Sequence, residues 1–190
     1  VLLYGDSGTG KSATVKSLLS LPGFEDLRLI EVQKEELGGM PELIRTLAGR
    51  RRKLILFIDD LAFDQDDRTY SVLKTILEGG LERRPSNVAV YATSNRRHLV
   101  RQTFSDRAGD EVDASETIQE KTSLSDRFGL RIPYLALNKI EFLALVDRMA
   151  EQAGIASGGE ALHAAALRWE MRHPGRTPRT AKQFIASLSL

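Results

Sequence analysis

Gly5-Asp6-Ser7-Gly8-Thr9-Gly10-Lys11-Ser12 satisfies G-x-x-x-x-G-K-[ST], directly after the apolar, β-prone run Val1-Leu2-Leu3-Tyr4 and directly before the helically spaced Lys11-Leu19. A strand, a glycine-rich turn and a helix in that order let backbone N–H groups converge on phosphates. The helix N-terminus adds the positive end of its dipole. In such a loop Lys11 is expected to reach the β- and γ-phosphates of a triphosphate, and Ser12 to offer its hydroxyl to Mg²⁺. The expected phosphate-binding stretch is Gly5, Asp6, Ser7, Gly8, Thr9, Gly10, Lys11, Ser12 and Ala13. A glycine turn that merely joins strand to helix is the competing reading, and the flanking strand and helix weigh against it.

Outward from this loop, short β-branched runs recur at Leu29-Val32, Leu54-Ile58, Val88-Thr93 and Leu130-Tyr134. Helical spacing fills the gaps at Pro41-Ala48 and Tyr70-Leu81. Strands of nearly continuous apolar character separated by helices predict a parallel sheet covered on both faces, an α/β core. Beyond Pro133 the pattern becomes purely helical, over Lys139-Ala150, Gly159-Glu170 and Thr180-Leu188, with Gly154, Gly158-Gly159 and His173-Pro174-Gly175 as punctuation. The expected division is a core over residues 1–135 and a helical lid over 136–190. Arg101-Glu120 is polar and acidic and is expected to be a solvated loop.

Lys and Arg number 27 against 26 Asp and Glu, so net charge gives no whole-chain reason for a polyanion or membrane partner. Apolar runs fall far short of the roughly 20 residues needed to span a bilayer. With no Cys, disulfides and thiolate metal sites are excluded, and the composition is compatible with a cytoplasmic location. A chain that opens on a core strand is expected to be cut from a longer protein.

The second informative stretch is Leu54-Ile55-Leu56-Phe57-Ile58-Asp59-Asp60, an apolar strand ending in two carboxylates. In an open parallel sheet ligands gather beyond the carboxyl ends of the strands, so these acids should face the same crevice as the glycine loop. Asp59 is expected to hold Mg²⁺, directly or through water, and Asp60 to orient or deprotonate an attacking water. Alone, the pair could equally be a polar turn or helix cap.

Phosphate loop, acidic strand end and helical tail together resemble the AAA+ ATPase superfamily. That resemblance implies the strand order 5-1-4-3-2, with ATP between core and lid. Val88-Ala89-Val90-Tyr91-Ala92-Thr93-Ser94-Asn95 matches the strand that ends in the superfamily's sensor 1, here Asn95. Leu124-Ser125-Asp126-Arg127-Phe128-Gly129 is similar to the arginine-finger box. Arg127 would therefore act in trans on a neighbouring subunit's nucleotide, and the active unit would be a homo-oligomeric ring or helix. The competing reading is a salt bridge within Ser125-Asp126-Arg127. Gly175-Arg176-Thr177-Pro178-Arg179-Thr180-Ala181 resembles sensor 2, with Arg179 the first choice and Arg176 the alternative. Tyr91-Ala92-Thr93-Ser94-Asn95-Arg96-Arg97-His98-Leu99, Leu77-Glu78-Gly79 and Lys121-Thr122-Ser123-Leu124-Ser125-Asp126-Arg127-Phe128-Gly129-Leu130 resemble one uncharacterised bacterial branch of that superfamily.

The resemblance implies Mg²⁺-dependent ATP hydrolysis coupled to remodelling of a protein or nucleic-acid client. Asp59-Asp60 departs from the Asp-Glu pair of many active members, and a displacement near 1 Å can cost about 10²-fold in rate. A slow-hydrolysing, ATP-dependent assembly switch is the first alternative, a small-molecule kinase the second. Arg50-Arg51-Arg52-Lys53 lacks interleaved aromatics and reads as a solvated lead-in to a strand. Arg96-Arg97-His98 lies near the expected subunit interface. Gly38-Gly39-Met40 is a weak pore-loop candidate. His98, His163 and His173 have no metal-ligand spacing.

Overall fold

The computed structural model describes residues 1–63, 69–78, 85–95, 99, 124–155 and 159–188. Gly79-Leu81 of the expected third helix, Arg96-Arg97-His98, Gly158, Lys121-Thr122-Ser123 and the Arg101-Glu120 loop lie outside the described residues.

Five strands form one parallel sheet: β1 (Leu2–Gly5), β2 (Leu27–Glu31), β3 (Lys53–Ile58), β4 (Val88–Ser94) and β5 (Arg131–Tyr134), in the order β2-β3-β4-β1-β5. This is the order implied by the superfamily resemblance. β3 and β4 pair from Leu54↔Val88 to Ile58↔Ala92, and β1 joins the other side of β4 from Leu2↔Ala92 to Tyr4↔Ser94. Leu2 N–H donates to the Leu130 carbonyl and Asp6 N–H to that of Tyr134, both at 2.8 Å, so β5 runs parallel to β1. Helices α1 (Lys11–Ser17), α2 (Met40–Leu47) and α3 (Thr69–Glu78) occupy the crossovers.

The continuous apolar character of β3 has a direct cause. Leu54, Ile55, Leu56, Phe57 and Ile58 are all buried, because a central strand of a covered parallel sheet has no solvent face. Burying each such side chain contributes about 1.5–3 kcal/mol. Leu2, Leu56, Ile58, Leu73, Val90, Ala92, Leu124 and Phe128 share one core with Met40. Met40 is fully buried at the start of α2, so it is core rather than an exposed pore-loop side chain. The 3₁₀ segment Lys34–Gly39 ahead of it was not evident from periodicity, which does not distinguish tight single turns. The side chains of Arg50, Arg51 and Arg52 are exposed. Their loop is fastened by Asn87 Nδ2, which donates to the carbonyls of Leu47 at 3.0 Å and Arg50 at 3.1 Å.

By internal contacts the chain divides into two compact units, Val1–Gly5 with Ser12–Pro133, and Asp6–Lys11 with Tyr134–Leu190. The second unit carries α4 (Lys139–Gln152), α5 (Glu160–Glu170) and α6 (Pro178–Leu188). α4 opens on a capping box: Asn138 Oδ1 accepts the Glu141 N–H, and the Glu141 carboxylate accepts the Asn138 N–H, each at 2.9 Å. Phe142, Val146, Ala150, Ala166, Ala181, Phe184 and Ile185 form this unit's core, with Trp169 packed against it. The Trp169 ring stacks on His173 at 4.2 Å, and His163 pairs with Asp147 at 2.8 Å.

Candidate functional site

In the first unit, the carboxyl ends of β3 and β4 and the start of α1 bring five polar residues together. β4 lies between β3 and β1, so the turn after β3 falls beside the end of β4. Ser12 Oγ donates to Asp59 Oδ1 at 2.6 Å. Thr93 Oγ1 donates to the same oxygen at 2.5 Å and accepts the Asp60 N–H at 2.9 Å. Asn95 Nδ2 donates to Asp60 Oδ1 at 2.7 Å. Asp59 is half-buried, whereas Asp60 and Asn95 are exposed. Asp60 has φ 51°, a left-handed conformation that short polar side chains tolerate better than most.

In the second unit, the glycine loop closes on itself. The Asp6 carbonyl accepts both Thr9 Oγ1 and Lys11 Nζ at 2.7 Å, and Lys11 is buried at 6% exposure. That burial holds the ammonium inside the loop rather than free on the surface. The Asp6 carboxylate accepts the Ala136 N–H at 2.7 Å, tying the loop to the segment ahead of α4. Gly10 is left-handed at φ 99° and Ser7 is exposed; of the flanking residues, which belong to the first unit, Gly5 has φ 128° and Ala13 is exposed.

The α6 terminus meets this loop. Thr177 Oγ1 accepts the Thr180 N–H at 3.2 Å and caps the helix, Pro178 takes the first helical position, and Arg179 N–H donates to the Gly8 carbonyl at 3.2 Å. Arg179 is thus placed at the loop with its side chain exposed, whereas Arg176 Nε lies 3.5 Å from the Glu170 carboxylate. A Cβ on Gly8 would stand 3.0 Å from Thr177 Oγ1 and 3.1 Å from Arg179 Cβ, at φ +77°. Gly8→Ala is therefore expected to destabilise the protein by about 1–3 kcal/mol. Gly10→Ala, with nothing within 4 Å of its Cβ, should cost backbone strain alone. Thermal unfolding of the two variants checks this: equal melting temperatures would mean the contact with α6 carries no energy.

In the first unit, Arg127 has its own partner. It follows a helical turn at Leu124–Asp126, and its guanidinium Nη1 pairs with the Glu78 carboxylate at the end of α3. Asp126 pairs with Arg131. A salt bridge does engage Arg127, but with Glu78 rather than within Ser125-Asp126-Arg127. Asn95, Asp59, Asp60 and Ser12 are brought into one network, to which sequence reasoning had not added Thr93. Nothing local to Thr93 marked it, since only the pairing of β4 with β3 brings Asp59 to its hydroxyl.

Oxygen donors alone meet at Ser12 and Asp59, a set that suits a hard cation keeping several waters, such as Mg²⁺. Among the described residues no cluster of three His, Asp or Glu side chains forms a metal cage. A Mg²⁺ held largely by phosphates and water requires none.

The chain matches, over residues 1–189, a family model described as "Protein of unknown function (DUF815)". It belongs to the DUF815 family. No curated protein matches this DUF815 chain. Among solved structures, it is similar to the Thermotoga maritima RuvB Holliday junction branch migration motor, with TM-score 0.57 and 15% identity, over 99% of this chain and 53% of that one. It is similar also to AMPPCP-bound DnaA from Aquifex aeolicus, with TM-score 0.59 and 14% identity, over 100% of this chain and 55% of that one. A replication initiator DnaA bound to AMPPCP and single-stranded DNA matches with TM-score 0.58 and 14% identity, over the same shares. The DUF815 chain spans about half the length of these structures and shares their fold. Among its described residues no helix is long and apolar enough to cross a membrane.

Proposed function

We propose that the DUF815 chain binds ATP with Mg²⁺ and hydrolyses it, as the motor module of a homo-oligomer that remodels a protein or nucleic-acid client. The observation that supports this reading best is the Ser12–Asp59–Thr93 and Asp60–Asn95 network at the carboxyl ends of β3 and β4. Gly5 to Ala13 would cradle the phosphates, Lys11 would exchange the Asp6 carbonyl for phosphate oxygens, and Arg179 would contact the phosphates from the start of α6. Ser12 and Asp59 would hold Mg²⁺, which when bound neutralises charge on the phosphate oxygens.

In the chemical step, water attacks the γ-phosphorus and the bond to the bridging oxygen breaks. ADP leaves with the electron pair, and the water's proton passes to the Asp60 carboxylate. Asn95 would orient that carboxylate and the water. Arg127 of a neighbouring copy would stabilise charge developing on the transferred group.

Asn95 Nδ2 donates to the Asp60 carboxylate at 2.7 Å and so occupies one oxygen of the expected base, an observation that also favours a slow-hydrolysing assembly switch. Steady-state phosphate release with Mg²⁺-ATP separates the two. Hydrolysis requires the wild-type rate to exceed that of Asp59→Ala by at least about tenfold. Equal rates with retained ATP binding would establish the switch instead.

A further inference from the structure

We propose that Thr93 is a positioning residue for both acids of the strand end, an assignment that rests on the ATP reading above. Thr93 is 1% exposed, on a strand whose preceding residues are Val88, Ala89, Val90, Tyr91 and Ala92. A hydroxyl has one proton to give and two lone pairs. Here the proton goes to Asp59 Oδ1 at 2.5 Å, and a lone pair takes the Asp60 N–H at 2.9 Å. The main chain of the same residue then takes the next donor, since the Thr93 carbonyl accepts the Leu61 N–H at 2.7 Å. One residue therefore fastens three consecutive positions, Asp59, Asp60 and Leu61.

The consequence differs for the two acids. At Asp59, the Thr93 and Ser12 hydroxyls and the Asp60 N–H converge on Oδ1, which fixes the carboxylate's rotation toward Ser12. At Asp60, binding the N–H on one side and the following N–H on the other holds the left-handed φ of 51°, which sends the side chain to Asn95 Nδ2 at 2.7 Å. Thr93 need touch neither nucleotide nor water to set where both carboxylates stand. An ordinary buried threonine satisfying its own hydroxyl would need one partner; this one holds both halves of the acidic pair.

The test uses the full chain as Thr93→Val, which keeps the β-branched shape, and Thr93→Ser, which keeps the hydroxyl. Binding of a non-hydrolysable ATP analogue is measured by calorimetry across a Mg²⁺ series and in EDTA, beside a thermal melt. Thr93→Val should weaken Mg²⁺ affinity in the presence of the analogue by about tenfold. Its analogue affinity in EDTA should stay at the wild-type value. Thr93→Ser should restore the Mg²⁺ response, and phosphate release should follow as a loss in kcat rather than a rise in KM.

If Thr93→Val fails to fold, Thr93→Cys replaces it: a weak donor of similar size should show the same loss. A folded Val or Cys variant with wild-type Mg²⁺ response overturns the assignment, as does a Ser variant that folds without restoring it. A wild-type chain whose analogue binding is indifferent to Mg²⁺ would overturn the ATP reading, and the assignment with it.

Discussion

Arg127→Ala is expected to lower Mg²⁺-dependent phosphate release by about 10³-fold, with nucleotide affinity of the chain unchanged. The guanidinium suits a trans role because its planar fork stays charged and matches phosphate geometry. In this structure it pairs with Glu78, and the two side chains are 24% and 43% exposed. An ion pair that open to water contributes about 0–1 kcal/mol. A phosphoryl group of a neighbouring copy can therefore displace the carboxylate at little cost, since charge-assisted bonds to phosphate are among the stronger ones. Arg127 Nε is buried with no hydrogen-bond partner among the described residues, so no bond at that nitrogen opposes a change of partner at the Nη groups. Glu78→Gln supplies the control, because it removes the ion pair and leaves the arginine. Phosphate release within a few-fold of wild type for Glu78→Gln, beside the large loss for Arg127→Ala, is the expected pattern. Equal losses in the two variants would show that the ion pair is the whole of Arg127's role.

The residues themselves explain which features sequence reading could reach. β3 was legible because five consecutive buried positions leave an unbroken apolar run, and its end was marked by the change to Asp59-Asp60. The helices of the second unit were legible from period and punctuation, with boundaries such as Pro178 rather than Thr180 shifted because Thr177 caps through its side chain. The strand order followed from the resemblance, not from any single strand, since pairing partners distant in sequence leave no local trace.

Two contacts were illegible for the same reason. Glu78 and Arg127 are separated by 49 positions, and nothing local to either names the other. Thr93 was read only as part of a strand, because a β-branched residue in a sheet is ordinary until the neighbouring strand's register brings an acid to its hydroxyl. The left-handed Asp60 belongs to this group as well: a backbone conformation set by bonds from another strand cannot be deduced from the residue's own propensity.

That conformation also bears on why position 60 suits an aspartate rather than a glutamate. Asparagine and aspartate are enriched at positive φ, whereas longer side chains adopt it less readily. Asp60→Asn should therefore fold as the wild type does and keep the bond to Asn95 Nδ2 through its own amide oxygen, while losing the carboxylate as proton acceptor. Phosphate release should fall by about 10²–10⁴-fold with ATP affinity and melting temperature unchanged. Asp60→Glu should lower the melting temperature without raising the rate, since the longer side chain fits less readily on a φ of 51° held by Thr93. A glutamate variant faster than wild type would show instead that carboxylate reach limits hydrolysis. Asp60→Asn and Arg127→Ala also complement each other if Arg127 acts in trans. A mixture pairs an intact Asp60 site in one copy with an intact Arg127 in the next, so two nearly inactive proteins should recover phosphate release on mixing. Recovery no greater than the sum of the separate rates would place Arg127's action within its own chain.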